Sequence, residues 1–187
     1  IAARSAATPW YDGPTLIELL EGAEPREAHR ADAPMRMAVQ SVVRPNQDFR
    51  GFAGRLSAGA VKPGDAVRLM PSGRTAKVTR IVTADGDLPQ AVAGQSVTLT
   101  LDQEIDCSRG DVIAAADAPC EIADQFQATI VWMSETPLFP GRRYVMKIDA
   151  AEAKSTVTEI RHGFDIESFQ HTPVKQLDAN AIGVCNV

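Results

Sequence analysis

The stretch from Gly54 to Asp65, GRLSAGAVKPGD, is the part of the sequence whose residue types most suggest chemistry. Glycine-rich loops bind phosphate when their backbone N–H groups point at the anion and a helix N-terminus follows. Here the alternating segment AVRLM follows, which predicts a strand. Lys62-Pro63-Gly64-Asp65 has proline at the second turn position and glycine at the third, as a type II turn prefers. The stretch is therefore predicted to be two turns of a β-structure rather than a phosphate cradle.

The sequence also lacks other nucleotide-binding motifs. The P-loop pattern G-x-x-x-x-G-K-[ST] does not occur in the sequence. Asp85-Gly86, within VTADGDLPQ, is predicted to be a solvated hairpin loop between strands.

The histidines and nearby carboxylates form the next candidate site. His162 and His171 lie nine residues apart, with Asp165 and Glu167 between them. A His/carboxylate metal site stays open, but the spacing matches no zinc pattern, so a surface loop is favoured. A hydrolase site built from Ser134-Glu135 and His162 is disfavoured, because the sequence has no G-x-S-x-G.

Two aromatic and basic clusters each allow two interpretations. Arg142-Arg143 beside Tyr144 is either a phosphate contact or, as favoured here, the solvated start of a strand. Trp10-Tyr11 is either a stacking platform or, as favoured here, an aromatic staple that holds a helix against a β-barrel.

Composition limits the class of protein. The 187 residues carry a formal net charge of -5, whereas nucleic-acid-binding domains are usually basic. The three cysteines are odd in number and lack metal-ligand spacing, which predicts buried or half-buried free thiols and a cytoplasmic protein. No apolar run is long enough to span a membrane, and no signal segment is visible. Because the sequence begins IAARSAA, without Met, we expect a piece of a longer chain.

The first 33 residues predict a helix and a linker. In TPWYDGPTLIELLEG, Thr15 and Glu18 have capping-box spacing and Gly22 is a plausible stop. The leucines of this short helix share one face, so the helix is expected to lean on other structure. Residues 23–33 are charged without an apolar period and predict a linker.

The rest of the sequence has the alternation of β-strands. MRMAVQ and SVTLTL alternate apolar and polar residues, and turn residues separate such runs. In RTAKVTRIV, Val78 and Ile81 cannot both face inward on a regular strand, which predicts a bulge near Thr79–Arg80. A second β block begins near Cys120, and its last run, AIGVCNV, still has strand character where the sequence stops. That block is therefore expected to be incomplete at its C-terminus.

Several motifs together resemble the second domain of the translation-factor GTPase superfamily. They are GRLSAGAVKPGDAVRL, AVAGQSVTLTL and IDCSRGDVIA, in one order over some sixty residues. The flanking segments TPWYDGPTLIELLE, VVRPNQDFRGFAGRL and VWMSETPLFPGRRY resemble the GTP-binding large subunit of bacterial sulfate adenylyltransferase. The ending NAIGVCNV resembles the bifunctional form that is fused to an adenylylsulfate kinase domain.

The resemblance implies an all-β fold with a short N-terminal helix. Residues 1–33 would be the tail of the GTPase domain with helix and linker, residues 34–117 a translation-factor-type Greek-key β-barrel (domain 2), and residues 118–187 a second, C-terminally truncated β-barrel (domain 3). It also implies a parent enzyme that makes adenylyl sulfate and pyrophosphate from ATP and sulfate, driven by GTP hydrolysis.

The same resemblance implies that this region holds no catalytic, cofactor-binding or metal-binding residue. The P-loop, the downstream aspartate-glycine element and the Asn-Lys-x-Asp guanine-recognition motif of the family are all missing from the sequence. GTP and Mg would bind in a GTPase domain outside this region. The implied partners are that GTPase domain and the small catalytic subunit, in a heterodimer or larger assembly, with no nucleic acid and no membrane.

Two alternatives remain from the sequence. The first is a translation-factor-like module that binds tRNA or the ribosome, which the acidic balance disfavours. The second is a structural module that oligomerises through the open strand edges of an incomplete barrel.

Overall fold

A computed structural model describes residues 6–23, 32–168 and 170–187. The expected linker lies mostly outside the described residues, as do the first five residues of the sequence. One helix precedes the strands, α1 (Leu16–Glu21). The first nine strands are β1 (Arg36–Val43), β2 (Gly51–Ala58), β3 (Ala60–Val61), β4 (Ala66–Met70), β5 (Arg74–Thr83), β6 (Gly86–Asp87), β7 (Ala91–Val92), β8 (Ser96–Leu101) and β9 (Val112–Ala115). The remaining strands are β10 (Gln127–Val131), β11 (Arg143–Ile148), β12 (Ala151–Thr156), β13 (Glu159–Phe164), β14 (His171–Thr172) and β15 (Ile182–Asn186).

Strands β1 to β9 build a closed antiparallel barrel, called the first barrel below. Six strands follow one another in the order β4-β9-β1-β2-β8-β5, and pairing of β4 with β5 closes the ring. Strand β6 extends β5, and β3 pairs with β7 at the side. The expected all-β class with a barrel after a short helix is therefore confirmed.

The bulge expected in β5 is present. The register between β5 and β8 shifts between Val78 and Arg80. The extra residue lets both Val78 and Ile81 face the core, where they are 1% and 0% exposed. Thr79 then lies on the outer side of the bulge, and its hydroxyl is 2.6 Å from that of Thr100.

Gly54, predicted to mark a bulge or a close backbone approach, does so. A Cβ atom at this position would lie 2.3 Å from the carbonyl oxygen of Ala38 on β1. In the same region the register between β1 and β2 shifts between Val39 and Ser41. Only glycine lets the two strands approach this closely.

Strands β10 to β15, called the second β-domain below, form an open arrangement. Strand order is β10-β15-β13-β14 in one sheet, and β11 pairs with β12 in a separate hairpin. A small core joins them, made of Leu138, Val157, Ile160, Leu177 and Cys185. Within the described residues β10 pairs with β15 alone, so its other edge is unpaired. The expectation of a C-terminally truncated barrel stays a prediction.

Helix α1 has the expected caps but not the expected packing. Thr15 is the N-cap, and the capping box with Glu18 is complete, with distances of 2.7 and 3.2 Å. Gly22 is the C-cap. The helix contains no buried residue, so the expectation that it leans on other structure is wrong for the described residues. Its own caps, rather than burial, hold this short helix.

The first barrel depends on a layer of large side chains that includes Leu99. Leu99 pairs in register with Phe52 on β2 and with Ile81 on β5, and none of the three is more than 1% exposed. Replacing Leu99 by Ala should lower the free energy of unfolding by about 2–5 kcal/mol, because a cavity remains between three strands. Urea unfolding monitored by circular dichroism measures the change. Val92→Ala is the matched control, since Val92 is 40% exposed, and should change stability by about 0.5 kcal/mol or less. Equal losses in the two variants would contradict this account of the core.

Candidate functional site

The glycine-rich stretch is a corner of the first barrel. Gly64 has φ +95°, which glycine adopts without strain. Its N–H donates to the carbonyl of Val78 at 2.7 Å, and the N–H of Asp65 donates to Lys62 at 3.1 Å. The N–H of Lys62 donates to the carboxylate of Asp65 at 2.7 Å. These amides hold the turn and are not directed at a ligand, so the predicted turn is confirmed.

The segment around Asp85 and Gly86 is a hairpin between β5 and β6, as predicted. The Asp85 N–H donates to the Thr83 hydroxyl at 3.3 Å, and that hydroxyl donates to the Gly86 carbonyl at 2.8 Å. Beside the turn, Arg80 and Asp87 form two hydrogen bonds of 2.7 and 3.0 Å. The Arg80 guanidinium lowers the pKa of the Asp87 carboxyl, chiefly through this hydrogen bonding. The segment is therefore internally bonded structure.

A polar groove of about 290 Å³ runs along the first barrel beside Thr79 and Thr100. Its basic residues lie close to carboxylates. The guanidinium of Arg50 is 3.7 Å from Asp106, and that of Arg44, near the groove, is 3.9 Å from Glu104. Because positive and negative charges are interleaved, the groove lacks the basic character that phosphate backbones require.

The structure brings His162 and His171 together. Strands β13 and β14 pair in a register that sets Phe164 opposite His171. The two imidazole rings are stacked, with centroids 3.9 Å apart and planes at 15°. Phe164 meets both rings edge-on, at 5.2 and 4.9 Å. The pair that the sequence left open as a metal site is thus a ring cluster on the surface of a sheet.

Asp165, one of the carboxylates between these histidines, is bonded within its own turn. An oxygen of Asp165 accepts hydrogen bonds from the N–H groups of Glu167 and Ser168, at 2.8 and 3.3 Å. These bonds lower the pKa of the Asp165 carboxyl. In residues 6–23, 32–168 and 170–187, no group of three or more His, Cys, Asp or Glu side chains could hold a metal ion.

The remaining sequence candidates form a braced loop after β10. The Ser134 hydroxyl accepts the N–H of Thr136 at 3.3 Å. The guanidinium of Arg142 lies 4.8 Å from the ring centroid of Phe139. Tyr144 bonds both backbone groups of Phe139 through its hydroxyl, at 3.1 and 3.2 Å. These contacts shape the loop, and they do not unite Ser134 with His162.

The cysteines are free thiols, as the sequence predicts. Cys107 and Cys185 are buried, and Cys120 is partly buried. Burial, reinforced by the charge of Asp111, raises the pKa of the Cys107 thiol to about 12. Burial also raises the pKa of Cys185. Both thiols stay protonated at neutral pH, which disfavours a nucleophilic role.

The residues before the first barrel present an exposed apolar surface. Trp10 is 76% exposed, so the expected aromatic staple to the barrel is wrong. Its ring meets Tyr11 edge-on at 6.1 Å, and the Tyr11 hydroxyl donates to the carbonyl of Pro14. We call the four exposed apolar residues of the helix the α1 surface: Leu16, Ile17, Leu19 and Leu20.

Sequence reasoning missed that the α1 surface faces solvent. The usable signal was Ile17, which widens the face shared by the three leucines, while Glu18 and Glu21 occupy the opposite side of the helix. A helix with one wide apolar face is expected to pack that face against a partner. Exposed apolar patches of this type mark interaction sites, so the candidate functional site is a surface rather than a cleft.

The described part of the chain holds no helix of the length and apolarity that a bilayer crossing requires.

Two domain families match the chain. Residues 53–114 match elongation factor Tu domain 2, and residues 125–187 match the GTP-eEF1A C-terminal domain-like family. Each match covers about a third of the chain, and over these ranges the chain is similar to those two domain families. The fold agrees, since the chain superposes on the crystal structure of sup35 complexed with GDP with a TM-score of 0.77. That match is 24% identical and covers 100% of this chain and 46% of the other.

Similarity over almost the whole chain narrows the family further. The chain is 47% identical over 184 residues to the bifunctional enzyme NodQ of Azospirillum brasilense, covering 98% of this chain and 30% of the relative. It is 45% identical over 184 residues to sulfate adenylyltransferase subunit 1 of Tolumonas auensis, covering 98% of this chain and 39% of the relative. The chain is therefore a homologue of sulfate adenylyltransferase subunit 1 and of the NodQ enzymes, which confirms the resemblance. It spans less than half the length of these relatives.

The stacked histidines predict how stability depends on pH. Partial desolvation, then the electrostatic influence of His171 and of Arg161, lower the pKa of His162 below its ordinary value. The folded state therefore resists protonation at this ring, whereas the unfolded chain binds the proton near pH 6.5. This contribution to stability is present above pH 6.5 and is lost as pH falls through the folded pKa. Urea unfolding between pH 8 and pH 5 should show a steeper loss for the native chain than for His162→Gln. Parallel profiles would contradict the assignment.

Proposed function

We propose that this chain is the non-catalytic β-barrel region of a GTP-dependent sulfate adenylyltransferase subunit. The observation that carries the proposal is 45–47% identity to sulfate adenylyltransferase subunit 1 and bifunctional relatives over 98% of this chain. The parent protein would form adenylyl sulfate and pyrophosphate from ATP and sulfate. This region would brace the GTPase domain against the small catalytic subunit.

Two features of the described residues support placing GTP binding outside this chain. The amides of Gly64 and Asp65, in the one glycine-rich stretch that resembled a phosphate loop, are hydrogen-bonded inside the first barrel. The arginines beside the polar groove are near carboxylates. We therefore assign GTP and its Mg ion to a GTPase domain outside this chain, and no catalytic, cofactor or metal residue to the chain itself.

The α1 surface is proposed to be the joint with the rest of the parent protein. Leu16, Leu19 and Leu20 are 50–61% exposed, although they lie three and four residues apart on one helix face. Because these side chains are already partly covered, burying each one against another domain would recover roughly half of the 1.5–3 kcal/mol of a fully exposed leucine, about 1–1.5 kcal/mol. The capping box stabilises the helix in the absence of that partner.

The proposed location and partners of the parent protein follow from its assignment to the sulfate adenylyltransferase family. The parent protein would be cytoplasmic, with its own GTPase domain and the small catalytic subunit as partners. Nucleic acid is not proposed as a partner, since the net charge is -5 and the groove arginines lie beside carboxylates.

Isothermal titration calorimetry with GTP and Mg tests whether the chain itself handles nucleotide. We expect no saturable binding, because the turn amides are already bonded within the barrel. The complete subunit 1 of Tolumonas auensis serves as the positive control and should bind GTP under the same conditions. Micromolar GTP binding by this chain would contradict the proposal.

A further inference from the structure

A rigid turn of the first barrel faces the second β-domain. It comprises Ser108 to Asp111, just before β9. Gly110 N–H donates to the Val39 carbonyl at 2.9 Å, and the Val39 N–H donates to the Asp111 carbonyl at 2.8 Å. The Arg109 guanidinium donates to the carbonyl of Gln40 at 2.7 Å. The turn is therefore bonded to β1 by backbone hydrogen bonds and by the side chain of Arg109.

The same turn is also bonded internally. Asp111 N–H donates to the Ser108 carbonyl at 3.1 Å, and Ser108 N–H donates to the Asp111 carboxylate at 2.7 Å. The buried Cys107 thiol is close enough to Asp111 for that carboxylate to help raise the pKa of the thiol. With partners from both the backbone and a side chain, the turn has little freedom to give way.

The facing element is the tip of the β11–β12 hairpin. Ile148 pairs with Ala151, so only two residues form the turn between the strands. Asp149 has φ +50°, a conformation suited to such tight turns. Lys147 and Glu152 form an ion pair of 2.8 Å across the strands next to the tip. This element too is a short, well-defined structure.

Gly110 and Ala151 lie in direct contact across the two domains. A Cβ atom at Gly110 would lie 3.1 Å from the Cα and 3.3 Å from the Cβ of Ala151. Gly110 has φ +99°, but a positive φ alone does not distinguish it from other glycines of the chain. Gly64, Gly73 and Gly86 also have positive φ, and a Cβ at each would meet nothing within 4 Å. At Gly110, therefore, the missing side chain makes room for the other domain.

We infer that the contact between Gly110 and Ala151 is the seat on which the second β-domain docks, and that glycine at position 110 sets the orientation of the two domains. The chain between β9 and β10 already joins the domains covalently. A second point of contact, added to that covalent connection, restricts how the two domains can rotate relative to each other. The inference concerns this chain alone and does not depend on the proposed enzyme activity.

Residual dipolar couplings of backbone amides in a weakly aligned medium test the inference. Alignment tensors are fitted separately to residues 36–115 and 127–186. In the native chain the two tensors should coincide. Gly110→Ala should leave the couplings within each domain self-consistent but make the two tensors differ. Gly86→Ala is the matched control, because Gly86 has φ +118° but no neighbour within 4 Å, and its tensors should still coincide.

Two results would overturn the inference: distinct tensors in the native chain, or coincident tensors in Gly110→Ala. If Gly110→Ala instead loses the dispersed amide signals of the first barrel, Ala151→Val decides. This substitution enlarges the side chain on the other side of the contact, at the first residue of β12, and valine is favoured in strands. Divergent tensors in Ala151→Val would support the seat, and coincident tensors would overturn it.

Discussion

Pairing of β4 with β5 closes the first barrel, and the other features of the domain depend on that closure. A closed ring has no free strand edge, so each of its six strands satisfies backbone groups on both sides. Closure requires strands that bend and approach closely. The register shift at Val78 supplies one bend, and Gly54 permits the close approach to Ala38. Gly64 then turns the chain into β4 at the position from which it can meet β5.

The second β-domain and the N-terminal helix differ from the first barrel in having unpartnered surfaces. Strand β10 has one partner within the described residues, and the α1 surface is open to solvent. Two rigid turns meet where Gly110 contacts Ala151. The chain thus combines a closed barrel, a second β-domain in contact with it and a helix with an exposed apolar surface.

Features that depend on a few neighbouring residues can be predicted from the sequence, whereas contacts between distant segments cannot. The capping box of Thr15, the positive φ of Gly64 and the bulge after Val78 each follow from a few neighbouring residues. The stacking of His162 on His171 depends on the register of two strands, which spacing alone did not fix. The contact of Gly110 with Ala151 depends on how two domains dock, and no local pattern encodes it. The exposure of Trp10 does not follow from the sequence either, because an aromatic pair beside a helix does not show which surface it packs against.

The central claim is that this region braces a GTP-dependent sulfate adenylyltransferase. A chimera tests it most directly: residues 1–187 replace the matching segment of sulfate adenylyltransferase subunit 1 from Tolumonas auensis, which is 45% identical over that segment. The chimera is combined with the small catalytic subunit, and GTP-dependent formation of adenylyl sulfate is measured. The account predicts that GTP still stimulates adenylyl sulfate formation. A folded chimera that binds the small subunit and hydrolyses GTP, but no longer couples hydrolysis to adenylyl sulfate formation, would contradict it.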